Sequence, residues 1–299
     1  MIMKNSKQKV TVIGLGDMGG KLASVLLENG YKVTVWNRDS KKADALVTAG
    51  AILAASAADA ILSSPILIMC VKDYDASHSI LKTNDAFKAL NGRLLIELST
   101  GTPKKARKGR ELADAAGAGY LDGAILATPP QVGRPDTPVF ISGENAAYQK
   151  ATTVMKTLAG GLQYMGDKDG NAAAWDLAFL SCLFGGMVGF YHGAALLESE
   201  NISVEDYGNM MAALAPVTGE MIKYEGKVIG NDLFTEVQSS LTTSSVTFKL
   251  LLEHAEEAGI AKDWPQFGMA LFQKALNAGY GPEQVATVVK VIRPSQECI

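Results

Sequence analysis

Residues 10–30, VTVIGLGDMGGKLASVLLENG, constrain the fold more than any other stretch of the chain. Val10, Val12 and Ile13 make a short strand suited to burial. Gly14-Leu15-Gly16-Asp17-Met18-Gly19 then opens a helix whose apolar positions include Leu22, Val25 and Leu26. The spacing is G-x-G-x-x-G, and its place between strand and helix separates it from an ordinary glycine-rich turn. The first glycine permits a tight turn, the second lets the backbone approach a pyrophosphate, and the third lets helix pack on strand. The helix N-terminus adds unpaired N–H groups and the positive end of its dipole. Gly14, Leu15, Gly16, Asp17, Met18 and Gly19 are therefore expected to hold the phosphates of a dinucleotide.

The end of the next strand, residues 32–36, distinguishes one dinucleotide from another. An acidic side chain there holds the adenosine 2′-hydroxyl of NAD. This chain has Trp36-Asn37-Arg38 instead. Asn37 keeps a neutral hydrogen-bonding group, Arg38 offers a guanidinium suited to a 2′-phosphate, and Lys42 adds charge one turn on. Asp39 opposes this, by repelling the phosphate or neutralising Arg38. A solvated charged loop is the competing reading for Lys41 and Lys42. NADPH is the expected cofactor.

The alternation of strand and helix continues. Residues 66–71 (ILIMCV) and 94–98 (LLIEL) are continuous apolar runs, as parallel strands buried on both faces should be. Helical segments are expected at 54–62, 76–81 and 104–116, with Pro103 suited to the first turn of the last. Loops after such strands lie at the carboxyl edge of the sheet, where ligands bind. Val71-Lys72-Asp73 and Ser99-Thr100-Gly101 are thus candidates for the nicotinamide side, with Val71 and Thr100 as cofactor contacts. Plain strand-to-helix turns compete with that reading at each position. Further strands are expected at 120–122, 138–142 and 162–165, a helix at 144–158, and a proline-stiffened loop at 127–135.

After Asp169 the strand signals stop. Residues 170–197 read as one long, almost wholly apolar helix. A helix apolar on all sides is expected to be buried on all sides. A membrane span needs roughly 20 apolar residues. The uninterrupted run between Asp176 and His192 falls short of that, and nothing else in the chain resembles a second span, so a core helix of a soluble protein is expected. Gly185, Gly186 and Gly189 each weaken it by roughly 1 kcal/mol relative to Ala, which close approach by another helix offsets. A second subunit is the more natural cover. Further helices are expected at 204–215, 216–226, 233–258, 265–278 and 282–292. Met210, Met211, Met221 and Met269 read as core filler, and His192 as a structural histidine. One residue does not belong: a carboxylate such as Asp176 in an apolar helix is costly unless paired, protonated or used.

Composition narrows the class. The 299 residues give room for two domains, and 28 Lys and Arg against 31 Asp and Glu call for neither nucleic acid nor an anionic membrane. Cys70, Cys182 and Cys298 are few and unpatterned, and read as reduced thiols rather than a disulfide or metal framework. The opening residues MIMKNSKQKV lack the apolar core of a signal peptide, so a cytoplasmic location is expected.

With these residues in view the chain resembles the β-hydroxyacid dehydrogenase superfamily, and most of all its imine reductase and reductive aminase branch. The likeness rests on residues 13–19 and 33–38, on Leu98-Ser99-Thr100-Gly101-Thr102-Pro103, on residues 123–130 (GAILATPP), and on Asp176-Leu177-Ala178-Phe179-Leu180. The resemblance implies an α/β fold with an N-terminal Rossmann domain at 1–167, a long interdomain helix at 168–197, and an all-helical domain at 198–299. It implies a homodimer with interleaved helical domains, whose active site is shared between one subunit's Rossmann domain and the other's helices. Residues 238–245 and the segment around Pro216-Val217 are the candidates from the partner.

The departures from the hydroxyacid branch matter. Its catalytic lysine and the asparagine one turn later align with Ala174 and Ala178. Oxidising a hydroxyl needs a base, and no lysine stands there. Asp176 occupies the place where imine reductases carry Asp or Tyr. Phe179, Leu180, Leu183 and Phe184 lie on its side of the helix by spacing, and Thr128, Val217 and Ser244 complete the expected substrate pocket. The resemblance implies NADPH-dependent reduction of imines to amines, extending to reductive amination of carbonyls, with Asp176 catalytic and no metal. Asp176 as a helix-start carboxylate favouring the dipole is the competing reading. A β-hydroxyacid dehydrogenase with a different base, and a non-catalytic NADP-binding module, are the alternatives for function.

Overall fold

The structure, a computed structural model, describes residues 8–293. Cys298 and most of the opening stretch considered above lie outside the described residues.

Short β-branched and apolar runs alternate with helices through the first half of the chain. In order these are β1 (Lys9–Ile13), α1 (Asp17–Glu28), β2 (Lys32–Trp36), α2 (Asp44–Thr48), β3 (Ile52–Leu53), α3 (Ala57–Leu62), β4 (Ile66–Met69), α4 (Tyr74–Leu81), α5 (Asn84–Ala89), β5 (Leu94–Glu97), α6 (Pro103–Ala115), β6 (Gly119–Ile125), β7 (Pro138–Ser142), α7 (Asn145–Leu158) and β8 (Gly161–Tyr164). The eight strands form one sheet in the order β3-β2-β1-β4-β5-β6-β7-β8. Strands β1 to β6 run parallel, β7 is antiparallel to β6, and β8 is parallel to β7. The order from β3 to β6 is that of a doubly wound dinucleotide fold, with its switch point between β1 and β4.

Period-two alternation divides the core. Val10, Val12, Val33, Val35, Ile66 and Ile68 pack with Leu22, Leu26, Val154 and Leu158 of α1 and α7. Leu67, Met69 and Leu95 face the other way, onto Ile61, Ala89 and Ala113 of α3, α5 and α6. Strand β6 runs beyond the expected 120–122, pairing with β5 from Gly119 and with β7 up to Ile125. A Cβ at Gly123 would meet the side-chain ends of Leu98 and Ile141, which would have to shift to admit it.

Asn171–Ser199 is a single helix of 29 residues, α8. It is followed by α9 (Val204–Gly230), α10 (Leu241–Glu257), α11 (Asp263–Asn277), a 3-10 turn at Val285–Val288 and α12 (Val289–Ile292). The chain divides into two compact units between Cys182 and Leu183, within α8. In the second unit α10 packs on α11, with Phe248 and Phe272 edge to face at 4.8 Å. Phe190 of α8 stacks on Tyr207 of α9 at 4.8 Å, and a Cβ placed on Gly189 would stand 3.5 Å from the Trp264 ring.

Burial of α8 on all sides is not what the chain provides. Only Ala172, Ala173 and Asp176 are buried, whereas Phe184 and Tyr191 are about 60% exposed. The helix is long and apolar enough, by length and composition, to cross a membrane. The physical reason for its exposure is supply: the helices of one chain leave much of its apolar surface uncovered. Gly185 and Gly186 have nothing within 4 Å of where a Cβ would stand.

Candidate active site

The glycine-rich turn is built as its spacing demands. Gly14 is buried with φ +95°, and a Cβ there would strike the Cys70 carbonyl. A Cβ on Gly19 would strike the Gly14 carbonyl. Gly16 instead faces open space. It is the N-cap of α1 and offers no capping side chain. Gly20 is the first N–H of the helix to reach a carbonyl, that of Gly16 at 2.8 Å, which leaves the earlier N–H groups for an anion. Asp17 is exposed and Met18 half-buried beside them.

Asn37 fastens the end of β2 to this turn. Its Oδ1 accepts the Leu15 N–H at 3.0 Å, and its Nδ2 donates to the Asp39 carbonyl at 2.9 Å. Asp39 does not pair with Arg38. Its Oδ1 accepts the Lys41 N–H at 3.2 Å and caps the turn Ser40–Ala43. Arg38 and Lys42 are exposed, and neither forms an ion pair among the described residues. Open backbone, free N–H groups and two uncommitted cations together fit a phosphate-bearing dinucleotide.

The two loops assigned to the nicotinamide side are tied to each other. The Val71 N–H donates to Ser99 Oγ at 3.0 Å. The Ser99 N–H donates to Glu97 Oε1 at 3.1 Å, and Ser77 Oγ donates to Glu97 Oε2. Thr100 is exposed at the head of its loop. Asp73 is committed as the N-cap of α4, accepting the Ala76 N–H at 2.9 Å, which starts that helix earlier than the expected 76. Beneath these loops Glu97 is buried, and burial pushes its carboxyl up to about 7. Burial likewise pushes the Cys70 thiol up to about 12, which disfavours the thiolate there.

Asp176 is 6% exposed, although Trp175, Leu177 and Phe179 around it are each more than a third exposed. No hydrogen bond to its carboxyl forms among the described residues. Burial, followed by the nearby charge of Asp122, raises its pKa above the usual carboxylate range. The first-turn role is filled by other groups: Asp122 Oδ2 accepts the Ala173 N–H and Ser142 Oγ accepts the Ala172 N–H, both at 3.0 Å. That removes most of the case for Asp176 as a dipole-directed carboxylate.

The remaining candidates divide between the units. Phe179 is exposed and Leu180 half-buried in the first. Thr128, also in the first, is exposed and spends its N–H and hydroxyl on Gln131 Oε1 at 2.8 and 2.9 Å. Leu183, Phe184 and Val217 are exposed in the second. Ser244 is half-buried there and shares a 2.9 Å hydrogen bond with Ser239. Sequence reasoning missed Glu97 and Asp122. Each is a carboxylate inside an apolar strand, LLIEL and YLDGAI, and that mismatch was the signal available.

The fold and the glycine turn define a Rossmann-type nicotinamide-dinucleotide oxidoreductase domain. Residues 9–166 match the family described as the NAD binding domain of 6-phosphogluconate dehydrogenase, and residues 168–294 match the C-terminal domain of NADPH-dependent reductive aminase-like proteins. An NADPH-dependent reductive aminase of Aspergillus oryzae is 29% identical over 95% of this chain and 97% of its own. The imine reductase of Myxococcus stipitatus, solved with NADP+, is 32% identical over 95% of this chain and 100% of its own, with a TM-score of 0.89. The reductive aminase of Aspergillus terreus, solved with NADPH and ethyl levulinate, is 31% identical over 96% and 100%, also at 0.89. The chain belongs to the imine reductase and reductive aminase family.

Proposed function

We propose that the protein is an oxidoreductase that reduces imines to amines with NADPH, and that Asp176 is its catalytic acid. The observation that carries the role of Asp176 is a buried carboxyl with raised proton affinity and no hydrogen-bond partner among the described residues, on a helix whose N-terminus is already capped. NADPH is held by the backbone of Gly14, Gly16 and Gly19, with Arg38 and Lys42 toward the 2′-phosphate and the Val71 and Thr100 loops toward the nicotinamide. The chemistry it supplies when bound is a hydride.

The C=N carbon accepts hydride readily only when the nitrogen is protonated. A carboxyl with raised proton affinity gives its proton to the imine nitrogen. The carboxylate left behind stabilises the iminium cation. Hydride then adds to carbon, the C=N π electrons become the nitrogen lone pair, and the product is a neutral amine. Phe179 and Leu180, in the same unit as Asp176, give it an apolar setting that favours an apolar imine. The hydroxyacid reading is weaker, because Ala174 and Ala178 offer no base.

We assign the dinucleotide-binding domain to residues 1–167, the interdomain helix to 168–197 and the helical domain to 198–299. The exposed apolar surface of α8 and α9, with Gly185 and Gly186 open, supports a homodimer in which each helical domain covers its partner's α8 and completes its active site; we place that homodimer in the cytoplasm. Val217 and Ser244 are the candidate contributions of that partner.

The test is a panel of cyclic imines, ketone and amine pairs, and 3-hydroxy acids, followed by NADPH consumption or NADP+ reduction, with Asp176→Asn measured beside it. Imines should be reduced, and the Asn form should lose about 10²–10⁴-fold in kcat with its KM for NADPH unchanged. Turnover of 3-hydroxy acids alone would replace this reading. Full turnover by Asp176→Asn across the active pH range would remove Asp176 from the mechanism.

A further inference from the structure

One rung of the sheet carries three polar residues where the neighbouring rungs are mainly apolar. Glu97 of β5, Asp122 of β6 and Ser142 of β7 stand side by side in register. Asp122 and Ser142 are fully buried. Asp122 accepts from three directions: the Tyr74 hydroxyl of α4, the Ser142 hydroxyl at 3.3 Å, and the Ala173 N–H of α8 at 3.0 Å. Ser142, donating to Asp122, accepts the Ala172 N–H in turn at 3.0 Å.

The start of α8 explains why strand residues do this. The N-cap is Gly170, which has no side chain, and Ala174 is the first N–H to reach its helical carbonyl, at 2.9 Å. The N–H groups of Ala172 and Ala173 are therefore orphaned within the helix. A helix begins there only if something else accepts them. A carboxylate is the best acceptor at that end, because it meets the positive pole of the dipole. Asp122 and Ser142 act as a capping pair supplied by the sheet. Asp176 lies three residues beyond Ala173, one helical turn further on.

We propose that Asp122 is a positioning residue for the imine-reducing reaction: with Ser142 it pins the first turn of α8 to β6 and β7 and so fixes where the Asp176 carboxyl stands. This rests on the assignment of Asp176 made above. It adds a reason for two buried polar residues that the chemistry itself leaves unused. Asp122 also acts on Asp176 through its charge, a like charge that makes the Asp176 proton harder to remove. The other titratable groups facing Asp122 are Tyr74 on α4, Glu97 on β5, Tyr120 on β6 itself and Asp169 ahead of α8.

Asp122→Asn, Ser142→Ala and each of these combined with Asp176→Asn, assayed in the full-length enzyme, test this. A displacement of about 1 Å in a reacting group can cost about 100-fold, so each single variant should lose roughly 10- to 100-fold in kcat with the KM for NADPH unchanged. In Asp122→Asn the limb of the pH profile that belongs to Asp176 should move to lower pH, since a like charge is gone. Ser142→Ala should leave that limb in place. Neither change should slow an enzyme that already carries Asp176→Asn. Wild-type turnover in Asp122→Asn and Ser142→Ala, or losses that add fully to that of Asp176→Asn, would overturn the proposal while leaving Asp176 catalytic. An unimpaired Asp176→Asn would instead overturn the assignment of Asp176, and this proposal with it. Should Asp122→Asn not fold, Ser142→Ala and its double variant support or overturn the proposal by the same outcomes.

Discussion

Arg38 is exposed and its guanidinium is free of any ion pair among the described residues, because Asp39 is committed to the Lys41 N–H. A cation left unpaired beside a dinucleotide turn is what a 2′-phosphate requires. Arg38→Ala should raise the KM for NADPH about tenfold, the lower end for a charge-assisted contact because the site is open to water. The KM for NADH should barely move. Equal KM values for the two cofactors in the unaltered enzyme would sink the assignment. Arg38 could be singled out in the sequence because its placement is local, two residues from a strand end. The fastening of Asn37 to Leu15 joins residues 22 apart and could not be. Asp176 stood out as a misfit in an apolar helix. Asp122 was a misfit of the same kind, in a strand whose partners only the folded sheet brings to it.

At the scale of elements, strand β5 buries a carboxyl at its end. Glu97 has its pKa raised from 4.5 to about 7, chiefly by burial. The folded protein therefore holds this proton more tightly than the unfolded chain does. Its contribution to stability is fully present below pH 4.5 and is lost as pH rises through about 7. Glu97→Gln keeps an uncharged side chain in place at every pH. Urea unfolding at a series of pH values should show the wild type losing stability relative to Glu97→Gln across that window, by on the order of 3 kcal/mol. Parallel curves for the two proteins would refute it. Element boundaries were readable where the signal is local: Pro103 opens α6, and Thr102 caps it by accepting the Lys105 N–H at 3.3 Å. They failed where it is not. The expected break at Pro216 does not occur, and α9 runs through it to Gly230. The proline removes one bond, to the carbonyl of Ala212, at a position exposed to water. The expected helix from 233 begins only at Leu241. Gln284 accepts the Gln238 and Ser239 N–H groups at 2.8 and 3.0 Å and holds that segment extended. No local pattern announces a glutamine 46 residues away.

At the scale of the whole molecule, the apolar helix that shaped the sequence reading is also the feature that one chain explains least. The pattern said that 170–197 must be covered, and it could not say by what. In the structure α8 keeps Phe184, Val188 and Tyr191 exposed, and Met210, Val217 and Met221 of α9 are each more than half exposed. Leaving side chains of this size in water forgoes roughly 1.5–3 kcal/mol for each that burial would recover. A membrane would satisfy the apolar surface of α8 but not the charges that α9 carries along its length, from Glu205 and Asp206 to Lys223 and Lys227. A second copy of the same surface, as proposed above, would cover the apolar residues and leave those charges in water. In the absence of detergent, light scattering should therefore give about twice the 31.6 kDa of the chain. Met221→Glu, which places a charge at a site 65% exposed in the single chain, should leave the fold of the first unit intact and still able to bind NADPH. If the partner completes the site as proposed, the substitution should also shift the population to monomer and lower imine turnover in step with the monomer fraction. A fully active monomer at assay concentration would show that each chain carries a complete site and that the apolar surface serves some other contact.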